Sequence, residues 1–136
     1  MTDVLVDSNV LLDVFTEDPT WFDWSASALE EHAETSVLMI NPIIYAEVSV
    51  RFERIEELDE ALPASRFRRV ALPWAAGFLT GKCFLRYRQS GGMRRSPLPD
   101  FYIGAHAAVL GATLLTRDAS RYRSYFPSLR VIAPNA

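Results

Sequence analysis

The sequence predicts an α/β domain built on a mostly parallel sheet of five strands, with helices on both faces. Three observations carry that expectation. Short apolar runs recur along the chain without strict alternation, as strands buried on both faces require. Segments with apolar residues at helical spacing lie between them. Capping and turn residues stand at the joins. A length of 136 residues fits a single domain over 1–136 and buries a core without disulfide or metal staples.

The elements follow in order. Val4, Leu5 and Val6 form the first buried strand. Asp7, Ser8 and Asn9 make a capping turn into a short helix carrying Val10, Leu11, Leu12 and Val14. Asp18 and Pro19 open an amphipathic helix from Thr20 to His32, with Trp21, Trp24, Ala28 and Leu29 on its apolar side. Val37 to Ile40 is the second strand. Asn41 and Pro42 then supply an N-cap and a first-turn proline for a helix running to Val50. A polar helix from Glu53 to Leu62 stops at Pro63, and Phe67 to Leu72 is a third strand with a weaker pattern. Pro73 and Trp74 open a helix that reaches Gln89. Ser90 to Ser96, with Gly91 and Gly92, is the clearest loop of the chain. Pro97 to Leu110 reads as a helix closed by Gly111. Ala112 to Leu115 is the fourth strand, Ala119 to Tyr125 a short helix and Leu129 to Ile132 the fifth strand.

Composition narrows the function classes only a little. The apolar fraction of 49% and charged fraction of 23% are those of a globular domain and exclude a disordered chain. No run approaches the roughly 18 apolar residues of a membrane span. The N-terminus lacks a secretory pattern and Cys83 is the only cysteine, so a reducing, cytoplasmic setting is expected, with Cys83 a small core residue. A net charge of −3 argues against broad nonspecific coating of nucleic acid, yet leaves room for a local basic rim. Lys82 is the only lysine, so that rim would be arginine, the side chain suited to bidentate phosphate contacts.

Four acids stand out by where they fall. Ligands of open parallel sheets bind beyond the carboxyl ends of the strands. Asp7 directly follows the first strand and Asp118 follows the fourth, so both should emerge on one edge. Glu47 lies in or beside the apolar stripe of its helix, and Asp100 continues an apolar stripe at the start of its own. An inward-facing carboxylate is costly unless something pairs with it. Each acid also has a plain explanation. Asp7 and Asp118 could cap the helices that follow them. Asp100 could be a first-turn acid, and Glu47 could pair with Arg51 at i,i+4. Taken together in this fold, all four project toward one crevice. Converging carboxylates resist ionising, a hard divalent cation relieves them, and oxygen-only ligation suits magnesium or manganese. Zinc fits poorly, because His32 and His106 lack ligand spacing and read as structural or surface residues.

These motifs resemble those of the PIN domain. The segment from Leu5 to Asp13 is similar to the opening of that family, and Pro42 to Val48 to its second acidic motif. Pro99 to Ala105 and Leu115 to Asp118 are similar to the third and fourth. Order, spacing and length over nearly the whole chain resemble VapC-type toxins, the ribonuclease half of type II toxin–antitoxin pairs. The resemblance implies a PIN fold and a Mg²⁺- or Mn²⁺-dependent endoribonuclease. It implies metal ligation by Asp7, Asp100 and Asp118, with Glu47 ligating directly or through water. Asn9 and Thr116 would steady the acids or a bound water, or serve as local turn and cap residues. His106 departs from the family, standing where a small residue is usual. Gly104 costs its helix roughly 1 kcal/mol relative to alanine, and close approach of another backbone would explain it.

The implied reaction is in-line attack of a metal-activated water on an RNA phosphodiester, leaving a 5′-phosphate and a 3′-hydroxyl. Arg86, Arg88, Arg94 and Arg95 flank the glycine loop before Asp100 and are the candidate RNA contacts, with Tyr87 placed to stack on a base. Their plainer roles are a solvated loop or a surface for an acidic partner. Arg66, Arg68 and Arg69 read as the polar face of an edge element. The resemblance also implies a cognate antitoxin lying across the groove. Trp21, Trp24, Phe52 and Trp74 would line that groove, line a homodimer interface, or fill the core. A receiver domain fits poorly, since Asp13 is far from Asp7 and Lys82 is mid-helix. A haloacid-dehalogenase-type phosphatase would want an acid where Asn9 stands. A PIN-like module that binds RNA or protein without cutting is the non-enzymatic alternative.

Overall fold

Val4, Leu5 and Val6 are all but inaccessible to solvent, which puts their strand in the middle of a sheet covered on both sides. The computed structural model describes residues 2–134. Its elements run β1 (Thr2–Val6), α1 (Ser8–Phe15), α2 (Phe22–Thr35), β2 (Ser36–Ile40), α3 (Pro42–Ser49) and α4 (Ile55–Ala61). They continue as β3 (Arg68–Arg69), α5 (Trp74–Gln89), α6 (Pro99–Leu110), β4 (Thr113–Leu115), α7 (Ser120–Tyr125) and β5 (Val131–Ile132).

The sheet has the order β3-β2-β1-β4-β5, and every pairing is parallel. Val4 to Val6 pair with Thr113 to Leu115, while the start of β1 pairs with β2. The strand order reverses at β1. Crossovers of one hand therefore carry helices to both faces, and a crevice opens between the carboxyl ends of β1 and β4. Leu5, Leu38, Met39, Ile40, Leu114 and Leu115 from the strands meet Ile44, Val48, Phe101 and Ile103 from the helices in one continuous core.

Local chemistry explains the element ends. Asn41 accepts from the Ile44 N–H at 2.9 Å and Pro42 takes the first turn of α3. Gly111 adopts φ 70°, the left-handed conformation expected of a glycine ending α6. Cys83 is buried and unpaired, as expected.

Several expectations are corrected or refined. The third strand shrinks from Phe67–Leu72 to Arg68 and Arg69, because it forms the sheet edge, where only one side offers partners. The Arg69 guanidinium there pairs with Asp59 at 2.7 Å and lies over the Tyr45 ring. Trp24 is half-buried against the core as expected, Trp21 is half-buried, and the fully buried residues of α2 are Ser25, Ala28 and Leu29. Trp74 is not core at all, being 96% exposed on the first turn of α5. The mid-helix Gly104 faces a side chain rather than a backbone: a Cβ there would run into the Phe126 ring.

Candidate active site

The crevice is assembled from the ends of β1 and β4 and the starts of α1, α6 and α7. Asp7 leaves β1 with extended backbone and sits just before α1. Its Oδ1 accepts from the Ser8 N–H at 2.7 Å, so it does cap that helix. Its Oδ2 accepts from Thr116 Oγ1 and from the Tyr122 hydroxyl, each at 2.9 Å. No cationic side chain pairs with it among the described residues. Burial is the main cause that pushes the Asp7 pKa up to about 6. Asp100 and Glu47 add to the rise, and the Thr116 and Tyr122 hydrogen bonds oppose it.

Glu47 does not pair with Arg51. Its Oε1 instead accepts from Ser8 Oγ at 2.8 Å, which turns α3 toward the start of α1. Burial raises its pKa, and the nearby charge of Asp100 acts in the same direction. Asp100 lies in the first turn of α6. Its Oδ1 stands 3.3 Å from the Tyr122 hydroxyl and its Oδ2 3.3 Å from an Arg121 nitrogen. Asp7, Glu47 and Asp100 thus share one electrostatic environment. Asp118 is exposed beside them. Its Oδ1 accepts from the Ser120 hydroxyl at 3.1 Å at the entry to α7, the local role that its position allowed. Asp118 and Asp100 nevertheless line the same open groove of about 390 Å³, with Tyr87, Arg121 and Tyr125.

Thr116 and Asn9 form the polar floor. Thr116 Oγ1 receives from Asn9 Nδ2 at 3.2 Å while donating to Asp7. Asn9 Oδ1 accepts from the Arg117 N–H at 3.1 Å, so the two loops are stitched together beneath the acids. Arg117 reaches back to the buried Asp13, with nitrogens 2.9 and 3.1 Å from its two carboxylate oxygens. Ser25 adds a third donor to Asp13 at 2.8 Å.

The arginines separate. Arg86 stands 5.2 Å above the Tyr125 ring, bordering the groove. Arg88 turns inward on its own loop and donates to the Arg94 carbonyl at 2.7 Å. Arg94 and Arg95 are exposed. Ser8, Arg121 and Tyr122 are site residues that the sequence reading did not single out. Ser8 follows an acid directly, which was a signal. Tyr122 lies in a short helix whose aromatic spacing reads as ordinary core.

The donors suit a hard cation. They are all oxygens, and one buried carboxylate lacks a cationic partner. Yet no three or more acidic, histidine or cysteine side chains already enclose an ion position among the described residues. Asp7 and Asp100 instead meet at the Tyr122 hydroxyl.

The fold is thus a doubly wound domain with carboxylates gathered at its switch point. The PIN domain family model matches residues 4–126, and the chain belongs to that family, a family of nucleases. No curated protein matches the sequence. Several solved structures share the fold. VapBC2 from Rickettsia felis, bound to a DNA fragment from its promoter, aligns with a TM-score of 0.73 at 20% identity, covering 97% of this chain and 98% of that one. A toxin–antitoxin complex from Klebsiella pneumoniae gives 0.70 at 23% identity, covering 98% of both chains. FitAcB from Neisseria gonorrhoeae gives 0.69 at 18% identity, over 95% and 96%.

Proposed function

We propose that the chain is a Mg²⁺- or Mn²⁺-dependent endoribonuclease and the toxin of a VapBC-type pair, acting in the cytoplasm. One observation supports the nuclease reading above the others. Asp7 is a carboxylate 3% exposed, coupled to Glu47 and Asp100, with hydrogen-bond donors but no cation. A structural capping aspartate has no need of acidic neighbours. The toxin reading draws on the full-length likeness to chains from toxin–antitoxin complexes.

Asp7, Asp100 and Asp118 would hold the ion, with Glu47 beside them. A bound divalent ion would neutralise charge on the phosphodiester and activate water for in-line attack. The chain's own groups do the rest. Thr116 and Ser8 fix the orientations of Asp7 and Glu47 by donated hydrogen bonds. The groove beyond Asp100 and Asp118 leads to Arg121, Tyr87 and Tyr125, with Arg86 over Tyr125. It offers an RNA strand cations for its phosphates and rings for its bases. Arg94 and Arg95 extend that basic rim, while Arg88 orders the loop that presents them. A cognate antitoxin would cover the same groove, and the protein would form a homodimer.

The test is cleavage of structured RNA by the purified protein, with and without EDTA, beside an Asp7→Asn variant. Products ending in 5′-phosphate, lost in EDTA and in the variant, are expected. Metal-independent cleavage, or a fully active variant, would sink the mechanism. Binding of RNA with no cleavage under any metal would leave the non-catalytic alternative.

A further inference from the structure

Tyr122 has no part in the reading of the sequence, yet its hydroxyl touches the carboxylates of two candidate metal ligands, Asp7 and Asp100. It lies 2.9 Å from Asp7 Oδ2 and 3.3 Å from Asp100 Oδ1. The residue is 1% exposed, and its ring belongs to the core. A phenol has one proton. It makes its full hydrogen bond to Asp7, and the longer contact to Asp100 is the weaker branch. Burial and two neighbouring carboxylates raise its pKa well above the ordinary tyrosine value, so it stays a neutral donor.

Packing alone does not call for this hydroxyl. A phenylalanine would fill the same space, and the hydroxyl's partners are both carboxylates of the crevice. Two neighbouring carboxylates repel, and each resists ionising unless its orientation and charge are compensated. Asp7 is restrained from three sides, by Ser8 N–H, Thr116 and Tyr122. Among the described residues, Asp100 is restrained only by Tyr122 and by the solvent-exposed Arg121. Tyr122 is therefore the buried link between the β1 acid and the α6 acid.

We infer that Tyr122 is a positioning residue of the acidic site, whose hydroxyl holds Asp7 and Asp100 in one shared orientation toward a divalent ion. The inference rests on the nuclease reading above. Its hydroxyl makes no contact with substrate in this role, and its effect is on how tightly and in what arrangement the ion is held.

The experiment compares wild type with Tyr122→Phe, which keeps the ring and removes only the hydroxyl. Mn²⁺ binding is measured by electron paramagnetic resonance without RNA. The variant is expected to bind Mn²⁺ about 10- to 100-fold more weakly, as loss of an outer hydrogen bond to a ligand does. Its RNA cleavage should need correspondingly more Mn²⁺ for half-maximal rate and recover at saturation. A purely structural role would shift stability without moving that metal dependence. Unchanged or tighter Mn²⁺ binding by a folded variant overturns the inference while leaving the nuclease reading intact. A wild type that binds no Mn²⁺ overturns both. Should the variant not fold, the wild-type Tyr122 ring carbon resonances are followed on Mg²⁺ addition. A shift saturating with the ion supports the role, and no shift at saturation overturns it.

Discussion

Ser8 Oγ donates to Glu47 Oε1 at 2.8 Å and thereby ties the first turn of α1 to α3 across 39 residues of chain. No other side-chain hydrogen bond to Glu47 is present among the described residues. Ser8→Ala leaves that half-buried carboxylate free to turn. RNA cleavage should fall about tenfold, the scale of losing a partner to a site carboxylate, with a stability loss of about 1 kcal/mol or less. Cleavage assays and urea melts run together check both halves. Unchanged cleavage would show that Glu47 needs no orientation.

Asp7 ties stability to pH. Its pKa stands at about 6 in the fold against 3.8 for the free side chain. The folded state therefore binds the proton more tightly than the unfolded one. The resulting stability is fully present below pH 3.8 and is lost as pH rises through 6. Ionising Asp7 in the metal-free protein costs about 3 kcal/mol by that shift, as an order of magnitude. Asp7→Asn in EDTA at pH 7.5 should thus be more stable than wild type by about 1–2 kcal/mol, since asparagine supplies one acceptor fewer. Thermal melts from pH 4 to 8 should show the gap closing toward acid. A variant less stable than wild type at pH 7.5 would contradict this.

The same strain gives the ion a second signature. Millimolar Mg²⁺ or Mn²⁺ should raise the melting temperature of wild type and have a much smaller effect on Asp7→Asn, because an ion that binds only the folded state stabilises it. Equal shifts in both proteins would place the ion elsewhere.

Gly104 gives a prediction against propensity. Alanine should help a helix interior by roughly 1 kcal/mol, but its methyl group would strike the Phe126 ring. Gly104→Ala is expected to destabilise by about 1–3 kcal/mol, the usual cost of overpacking. A stabilised variant in urea denaturation would mean that the ring moves aside freely.

Arg117 and Asp13 form the best-shielded ion pair, with the Asp13 side chain 3% exposed. Arg117→Ala strands that carboxylate with Ser25 alone. A loss of about 3 kcal/mol in urea unfolding is expected, as for removing one partner of a buried pair. A loss below about 1 kcal/mol would show water reaching Asp13.

Much of this architecture is legible in the sequence, for a definite reason. Buried parallel strands are written as apolar runs, and Asn41-Pro42 and Gly111 are local signals whose physics is local. Asp7 and Thr116 were readable because strand ends at a switch point are fixed by topology. What escaped depended on distant packing. The length of β3 is set by its edge position, which no short window contains. Trp74 reads as apolar whether or not anything covers it. Tyr122 carries the spacing of a core aromatic, and only the fold brings its hydroxyl to two acids. Capping leaves Asp7 free for a second task, since one oxygen caps a helix while the other meets Thr116 and Tyr122.

Thr116 and Tyr122 lie 109 and 115 residues beyond Asp7, the acid they hold. Ribosomes deliver a chain from its N-terminus, at about 5–20 residues per second. Asp7 is therefore made well before the two partners that hold its Oδ2. Its neighbour strand β4 cannot pair with β1 until Thr113 to Leu115 have emerged. Fragments that stop before β4 carry Asp7, Glu47 and Asp100 but lack Thr116, Asp118 and Tyr122.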